Sequence, residues 1–524
     1  MDKTKLLLFL FLLTVMVHAV EINVIPFPND VVMNKGECDL SDGFRLKGDK
    51  LNQDYLKKLL VSEHNLSLNP KGTEIRLRIN KNIDGGKEAY RLTVTPSRIL
   101  IDASAENGIF YGIQTLRQLI QQKKLPCLVI NDKPAFTWRA YMLDEARYFQ
   151  GKETVMQLLE EMAMLKLNTF HWHLTDDAGW RIEIKKYPQL TGIGSVRDST
   201  QINVDGKKWK SEVFDGRIHK GYYTQSEIKE LVAFASERYI TIIPEISMPG
   251  HASAAVASYP WLGMLNEQIK VPVKFGVAHT IFNPANPEVI QFLHNVLKEV
   301  SGLFPSQIIH IGGDEVKYDQ WKGSLDIAGY MEKNNLNTLS DVQVKFTNDI
   351  SNFVSDSLGK RMMGWNEILG INVHEWSTAE DAKAELSSNA VIHFWKGAPD
   401  IMKRALEKGY NLVNSNHKYT YLDYTYEQID LLKAYNFNPI PDNLPSEQRK
   451  QILGLGCQMW GEWTPTKKEV EYQTYPRIAA YAETGWTAPE KKDYTRFKEN
   501  LSFYIDRWFR KGYNYAPLSK TIIK

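Results

Sequence analysis

From Arg139 onward the chain alternates short apolar runs with amphipathic stretches, and this alternation constrains the fold more than any other feature. The runs are RAYMLD, NTFHWHL, ITIIPEIS, QIIHIGGDE, KRMMGW, AVIHFW, NLVNSN and LGLGCQMW. Each reads as a buried strand. The stretches between them carry helix-start signals. Thr224 and Glu227 form a capping-box pattern ahead of Ile228, Leu231, Val232 and Ala235, and Ser340 and Gln343 repeat it ahead of Phe346, Ile350 and Phe353. Eight strand-like runs, mostly separated by helices, predict an α/β fold of the (β/α)8 TIM-barrel type; a doubly wound sheet would take six or seven of them. Ahead of the barrel, residues 20–132 mix alternating strands (EIRLRIN, AYRLTVTPSRILIDA) with the helical stretch GIFYGIQTLRQLIQQ, which predicts a small α+β domain. The polar junction NDKPAFTWR leads into a barrel spanning residues 133–490, and residues 491–524 read as a closing helix and tail.

Charge and composition narrow the function. A net charge of +2 without a run of five Lys or Arg disfavours a nucleic-acid or membrane-surface partner. The first residues, MDKTKLLLFLFLLTVMVHAV, have the order of a secretory signal: Lys3 and Lys5, an apolar run from Leu6, and small residues near Ala19. Residues 1–19 are therefore expected to direct export to the periplasm or the exterior. The apolar run is short for a spanning helix, so the mature chain is expected to have no membrane span. Three cysteines, Cys38, Cys127 and Cys457, are too few for a disulfide framework.

A TIM barrel places its chemistry at the C-terminal ends of its strands. Those ends carry Asp144 and Glu145; His171, His173, Asp176 and Asp177; Glu245 and His251; and Asp314 and Glu315. The later strands add Trp365 and Glu367, Trp395, Tyr421 and Asp423, and Trp460 and Glu462. So many polar and aromatic groups at one end predict a polar pocket walled by Trp, a shape suited to a sugar. Two chemistries compete for it. His171 and His173 form an H-x-H pair that could ligate a metal with His251 and Asp314, as in a metal-dependent barrel hydrolase. Alternatively Asp314 and Glu315 are acid–base machinery. Two-carboxylate retaining glycosidases need groups about 5 Å apart across the sugar. Neighbours on one strand end diverge, which points to one proton-transfer carboxylate, one orienting carboxylate and a nucleophile supplied otherwise. Taken alone, GGDE reads as a strand-end turn.

The wider context decides the matter. HIGGDEV and NTFHWHLTDDAGWRIEIKKYPQLT closely resemble the family 20 glycoside hydrolases, the β-N-acetylhexosaminidases. So do WRAYMLDEARYF, IIPEISMPGH, MMGWNEI, YTYLDY, CQMWGEW and YPRIAAYAETGW, in that order along the chain. The resemblance implies exo-acting release of terminal β-linked GlcNAc or GalNAc with retention, through an oxazolinium intermediate and with no metal or other cofactor. The implied partner is a glycan or glycoconjugate. Glu315 then resembles the general acid/base, Asp314 the group that orients the 2-acetamido N–H, and Tyr421 the donor to the acetamido oxygen. The walls and the neighbouring Asp314 are expected to keep Glu315 protonated, as a working acid must be. Trp365, Trp395 and Trp460 resemble pocket walls. Arg139, Asp176, Asp423 and Glu462 resemble the hydroxyl-binding set, and His251 resembles a support for the acid. Arg139 stands at the start of its strand and enters on resemblance alone. Ala140 and Tyr148 depart from the Gly and His more frequent in the family. A non-catalytic sugar-binding protein on the same scaffold is the rival outside enzymes.

Overall fold

In the computed structural model, residues 22–521 are described; the expected export signal at residues 1–19 lies outside them. Strands β1 (Asp30–Asp39), β2 (Phe44–Gly48), β3 (Thr73–Ile79), β4 (Tyr90–Thr95), β5 (Arg98–Ala103) and β6 (Lys124–Asp132) form one mixed sheet in the order β1-β6-β4-β5-β3-β2. Helices α1 (Leu51–His64) and α2 (Glu106–Leu119) pack together, and α2 lies against β3, β4 and β5. The alternating apolar residues Leu92 and Val94 on β4 and Ile99 and Ile101 on β5 are buried in the core, as a sheet covered on one face requires.

The second domain is a closed parallel barrel. Its strands are β7 (Trp138–Asp144), β8 (Thr169–Asp176), β9 (Thr241–Ile246) and β10 (Ile308–His310), followed by β11 (Arg361–Trp365), β12 (Val391–Phe394), β13 (Asn411–Asn414) and β14 (Ile452–Met459). Each pairs in parallel with the next, β14 returns to β7, and β8 pairs with β9, so no edge is left open. All eight apolar runs of the sequence become these strands. Around them lie α3 (Lys152–Met164), α4 (Gln225–Ser236), α5 (Pro287–Leu303), α6 (Leu339–Asp356), α7 (Pro399–Glu407) and α8 (Arg477–Trp486). A closing helix, α9 (Tyr494–Arg510), follows. Among the described residues no helix is long and apolar enough to cross a membrane.

Two local expectations can be checked against geometry. Thr224 and Glu227 do form a reciprocal capping box at the start of α4. At α6 the box lies two residues earlier than the Ser340–Gln343 pattern, on Thr338 and Asp341, with bonds of 3.0 and 2.9 Å. Ser340 and Gln343 are free for other work: Gln343 donates to the Gly313 carbonyl at 2.8 Å, which ties α6 to the turn after β10. Between β11 and β12 the regular alternation fails. That connection holds only a short 3-10 helix, Asn366–Leu369.

The period-2 geometry of the strands explains where the site sits. Inward-facing residues form an apolar layer low in the barrel, including Ala140, Ile243, Met363, Val391 and Val413. Two residues further along, the same faces carry Glu245, Trp365, His393 and Ser415. The barrel therefore changes from apolar to polar towards its C-terminal end, with His171 and His310 buried in the upper layer.

Candidate active site

The turn after β10 is shaped by its glycines. Gly312 and Gly313 have φ of 69° and 87°, and a side chain on Gly313 would meet Ile368 Cγ2 at 2.4 Å. Glu315 itself is left-handed at φ 52°, a conformation that costs a side-chain-bearing residue about 1 kcal/mol. The turn thus draws together two neighbours that would diverge on a strand and brings both carboxylates to one imidazole. His251 Nε2 lies 3.8 Å from Asp314 and 3.7 Å from Glu315. His251 is likewise left-handed, at φ 51°.

A network fixes that imidazole. His251 Nδ1 is 3.2 Å from Asp177 and 3.3 Å from Asp176, and Asp177 also accepts from the Ser253 backbone at 3.0 Å. Burial alone would lower the His251 pKa, but Asp176, Asp177 and Asp314 outweigh it and hold the ring charged. Burial opposes charge on Asp176 too, yet Arg147 and His251 pull its pKa well below the usual carboxylate range. Asp314 moves the other way. Burial raises it most, Glu367 and Glu315 add to the rise, and only His251 works strongly against it. Asp314 is the more enclosed of the two neighbours, with 12% of its side chain exposed against 24% for Glu315.

These groups open into a cavity of about 390 Å³ at the C-terminal end of the barrel. Of the residues singled out from the sequence, His251, Asp314, Glu315 and Trp395 line it, as do Tyr421, Asp423, Trp460 and Glu462. Trp395 and Tyr421 stand parallel, 6.0 Å between centroids at 8°, and Glu367 fixes Trp395 by accepting its indole N–H at 2.9 Å. Trp365 is fully buried beneath the cavity, its indole N–H donating to Glu245 at 3.0 Å, so it is a floor. Asp176 stands behind the wall, engaged with Arg147, His173 and His251.

Arg139 is a correction. It lies at the opposite, N-terminal end of β7, wholly buried, where its guanidinium meets Glu88 of the first domain at 2.7 and 3.1 Å and donates to the Phe136 and Lys166 carbonyls. It joins the two domains and is remote from the cavity. The arginine in the cavity is Arg147, eight residues later and just past the strand end. It pairs with Asp144 at 3.1 Å and Asp176 at 3.0 Å, approaches Glu462 at 3.8 Å, and sits 5.2 Å from the Trp460 ring. Sequence reasoning also missed Lys208, Trp209 and Trp463. Lys208 and Trp209 belong to a long loop with no periodic signal. Trp463 follows the strand end at Trp460 and was within reach of the same strand-end rule. Tyr148, one of the two departures, packs 5.9 Å from Phe275, which in turn meets Trp463 at 5.5 Å.

The far side of the cavity is acidic and incompletely paired. Burial, followed by the neighbouring Glu462, pushes Asp423 up to about 8. Glu462 is raised by burial against the pull of Arg147. Asp423 Oδ1 and the indole nitrogens of Trp460 and Trp463 have no hydrogen-bond partner in the protein. A larger cavity of about 860 Å³ opens where α1, α3 and the end of α4 meet, far from the strand ends. Its charges pair with each other, Arg117 with Glu63 and Arg238 with Glu160, and it holds no comparable set of unpaired groups. Unpaired polar atoms beside aromatic walls make the smaller cavity the candidate binding site.

Among the described residues three side-chain groups are close enough to hold an ion: His171–Glu245–His310, Asp176–Asp177–His251 and His251–Asp314–Glu315. The last two groups share His251, whose ring the neighbouring carboxylates hold charged. In the H-x-H pair the rings diverge in character. Burial and His310 lower His171 to about 4, while Glu245 and Asp176 overcome burial and raise His173 to about 10. Both rings contact the same Glu245 oxygen, at 2.7 and 2.8 Å.

Comparison with known proteins identifies the family of both domains. The profile of the glycosyl hydrolase family 20 catalytic domain matches residues 136–489, and that of the family's domain 2 matches residues 21–133. A beta-hexosaminidase of Vibrio furnissii is 34% identical over 89% of this chain and 77% of its own length. One from Porphyromonas gingivalis is 32% identical over 94% of this chain, which spans 64% of that relative. The structure of the GH20 exo beta-N-acetylglucosaminidase from Vibrio harveyi in complex with N-acetylglucosamine superposes with a TM-score of 0.81 at 31% identity, covering 95% of this chain and 78% of that one. With both domains matched in order and the barrel-mouth site in place, the chain belongs to glycosyl hydrolase family 20.

Proposed function

We propose that this chain is an exo-acting, retaining β-N-acetylhexosaminidase that removes terminal β-linked GlcNAc or GalNAc by substrate-assisted catalysis. One observation carries the reading: Asp314 and Glu315 converge on His251 at the same end of the cavity instead of facing each other across a sugar. That placement suits one proton-transfer group and one orienting group, with the 2-acetamido oxygen of the substrate as nucleophile. Glu315 protonates the glycosidic oxygen as the acetamido oxygen attacks the anomeric carbon. The acetamido N–H is held by Asp314, whose ionised form stabilises the oxazolinium ring, and the Tyr421 hydroxyl donates to the acetamido oxygen. Glu315 then takes a proton from the incoming water, which opens the ring with net retention. Arg147, Asp423 and Glu462 close the far end and hold the ring hydroxyls, which favours a terminal sugar.

The test compares aryl β-GlcNAc with the matching β-glucoside, which lacks the acetamido group. A difference in kcat/KM of at least about 10³ is expected from losing an intramolecular nucleophile. Equal rates on the two would overturn the route. The hydroxyl-binding end makes a second prediction. Asp423, with its pKa near 8, is protonated at neutral pH and can donate to a hydroxyl; as pH rises through 8 it ionises beside Glu462. KM for the wild type is expected to rise over that range, while Asp423→Asn, which keeps an N–H donor, holds KM flat. Identical KM–pH profiles for the two would show that Asp423 does not act as a donor.

A further inference from the structure

The connection between β11 and β12, where the barrel lacks its regular helix, builds a second feature beside the proton donor. Glu315 faces two spaces: the sugar cavity, and a shallow groove shared with Val316, Tyr318, His374 and Trp376. Trp376 is 47% exposed, yet it is not loose. His374 stacks on it with centroids 4.8 Å apart at 21°, and Lys317 lies 5.1 Å from the ring centroid. His374 is buried and anchored by Glu367 at 2.9 Å, the same carboxylate that fixes Trp395. The turn is locked from within: Asn372 accepts from the His374 backbone at 3.1 Å and donates to the Ser377 carbonyl at 3.0 Å. An exposed indole is thus tied through His374 and Glu367 to the wall of the sugar cavity.

We propose that Trp376 is the platform for a sugar on the leaving-group side of the scissile bond, so that the preferred leaving group is a pyranose and not a small alcohol. This rests on the hexosaminidase reading. A general acid must lie within hydrogen-bond reach of the glycosidic oxygen, so atoms beyond that oxygen have to leave the cavity past Glu315. The groove with Trp376 begins at that residue. A pyranose presents a face of C–H groups that packs on a flat indole, while its hydroxyl edge stays in water or reaches Lys317. Because the ring is already held by His374, little conformational entropy remains to be lost on binding.

The experiment measures kcat/KM for the full chain on methyl β-GlcNAc and on the β-1,4-linked GlcNAc disaccharide, with Trp376→Ala and Trp376→Phe beside the wild type. Loss of one aromatic contact is expected to lower the disaccharide-to-methyl ratio roughly tenfold in Trp376→Ala. Trp376→Phe should recover most of that loss. An active wild type whose Trp376→Ala variant keeps the same ratio, whether both rates fall together or neither changes, overturns the platform and leaves the hexosaminidase reading standing. A wild type that cleaves neither substrate overturns the reading and the platform with it.

Discussion

Glu315→Gln is expected to reduce kcat on substrates with poor leaving groups by roughly 10³-fold, within the range general acid catalysis supplies. KM should change little, because the amide keeps the size and polarity of the carboxyl. The loss should shrink as the leaving group becomes more acidic, since a good leaving group needs less protonation. The pH profile sharpens the test. In the proposed route Asp314 is ionised to stabilise the oxazolinium ring, and burial, Glu367 and Glu315 raise its pKa. The acidic limb of kcat/KM should therefore lie above the ordinary carboxylate range: activity falls as pH drops and Asp314 gains its proton. In Glu315→Gln the acidic limb should remain. An unchanged rate on alkyl glycosides, or the loss of the acidic limb, would remove Glu315 from the role of acid.

The barrel was legible because period and burial act locally. Each apolar run had to be a strand, and its last inward residue had to face the mouth, which is how Glu245, Asp314 and Trp460 could be read at strand ends before any contact was known. The capping box at Thr338 was misplaced by two residues because T-x-x-D and S-x-x-Q overlap in one stretch, and only the hydrogen bonds choose between them. The pairing of His251 with both carboxylates could not be read from spacing, since it depends on left-handed backbone at residues 251 and 315. Nor could the anchoring of Trp376, which requires Asn372, His374 and Glu367 to meet across a connection without periodicity. Gly312 and Gly313 did signal a turn. What they could not signal is that the turn places Asp314 in the more enclosed position, where burial raises its pKa.

The two arginines of RAYMLDEARYF give the sharpest contrast, because they lie eight residues apart at opposite ends of one barrel strand. Resemblance assigned Arg139 to the substrate, whereas the strand-end rule applied to the same eleven residues selects Arg147, three beyond Asp144. Arg147→Ala removes a guanidinium that lies 3.0 Å from Asp176 and 3.8 Å from Glu462, and it takes away the flank of Trp460. Losing charge-assisted contacts worth about 3 kcal/mol is expected to cut kcat/KM by roughly 10². Arg147→Lys should recover little of this, because one ammonium cannot span Asp144 and Asp176 as a planar fork does. Arg139→Ala should behave in the opposite way. It leaves Glu88 without its charged partner at the domain junction and opens a buried gap, so the chain should lose on the order of 3 kcal/mol of stability. The molecules that remain folded should keep near wild-type kcat/KM. Thermal melts paired with initial rates at low temperature separate the two outcomes. If Arg139→Ala lost activity per folded molecule as severely as Arg147→Ala, the separation between a junction arginine and a site arginine would fail.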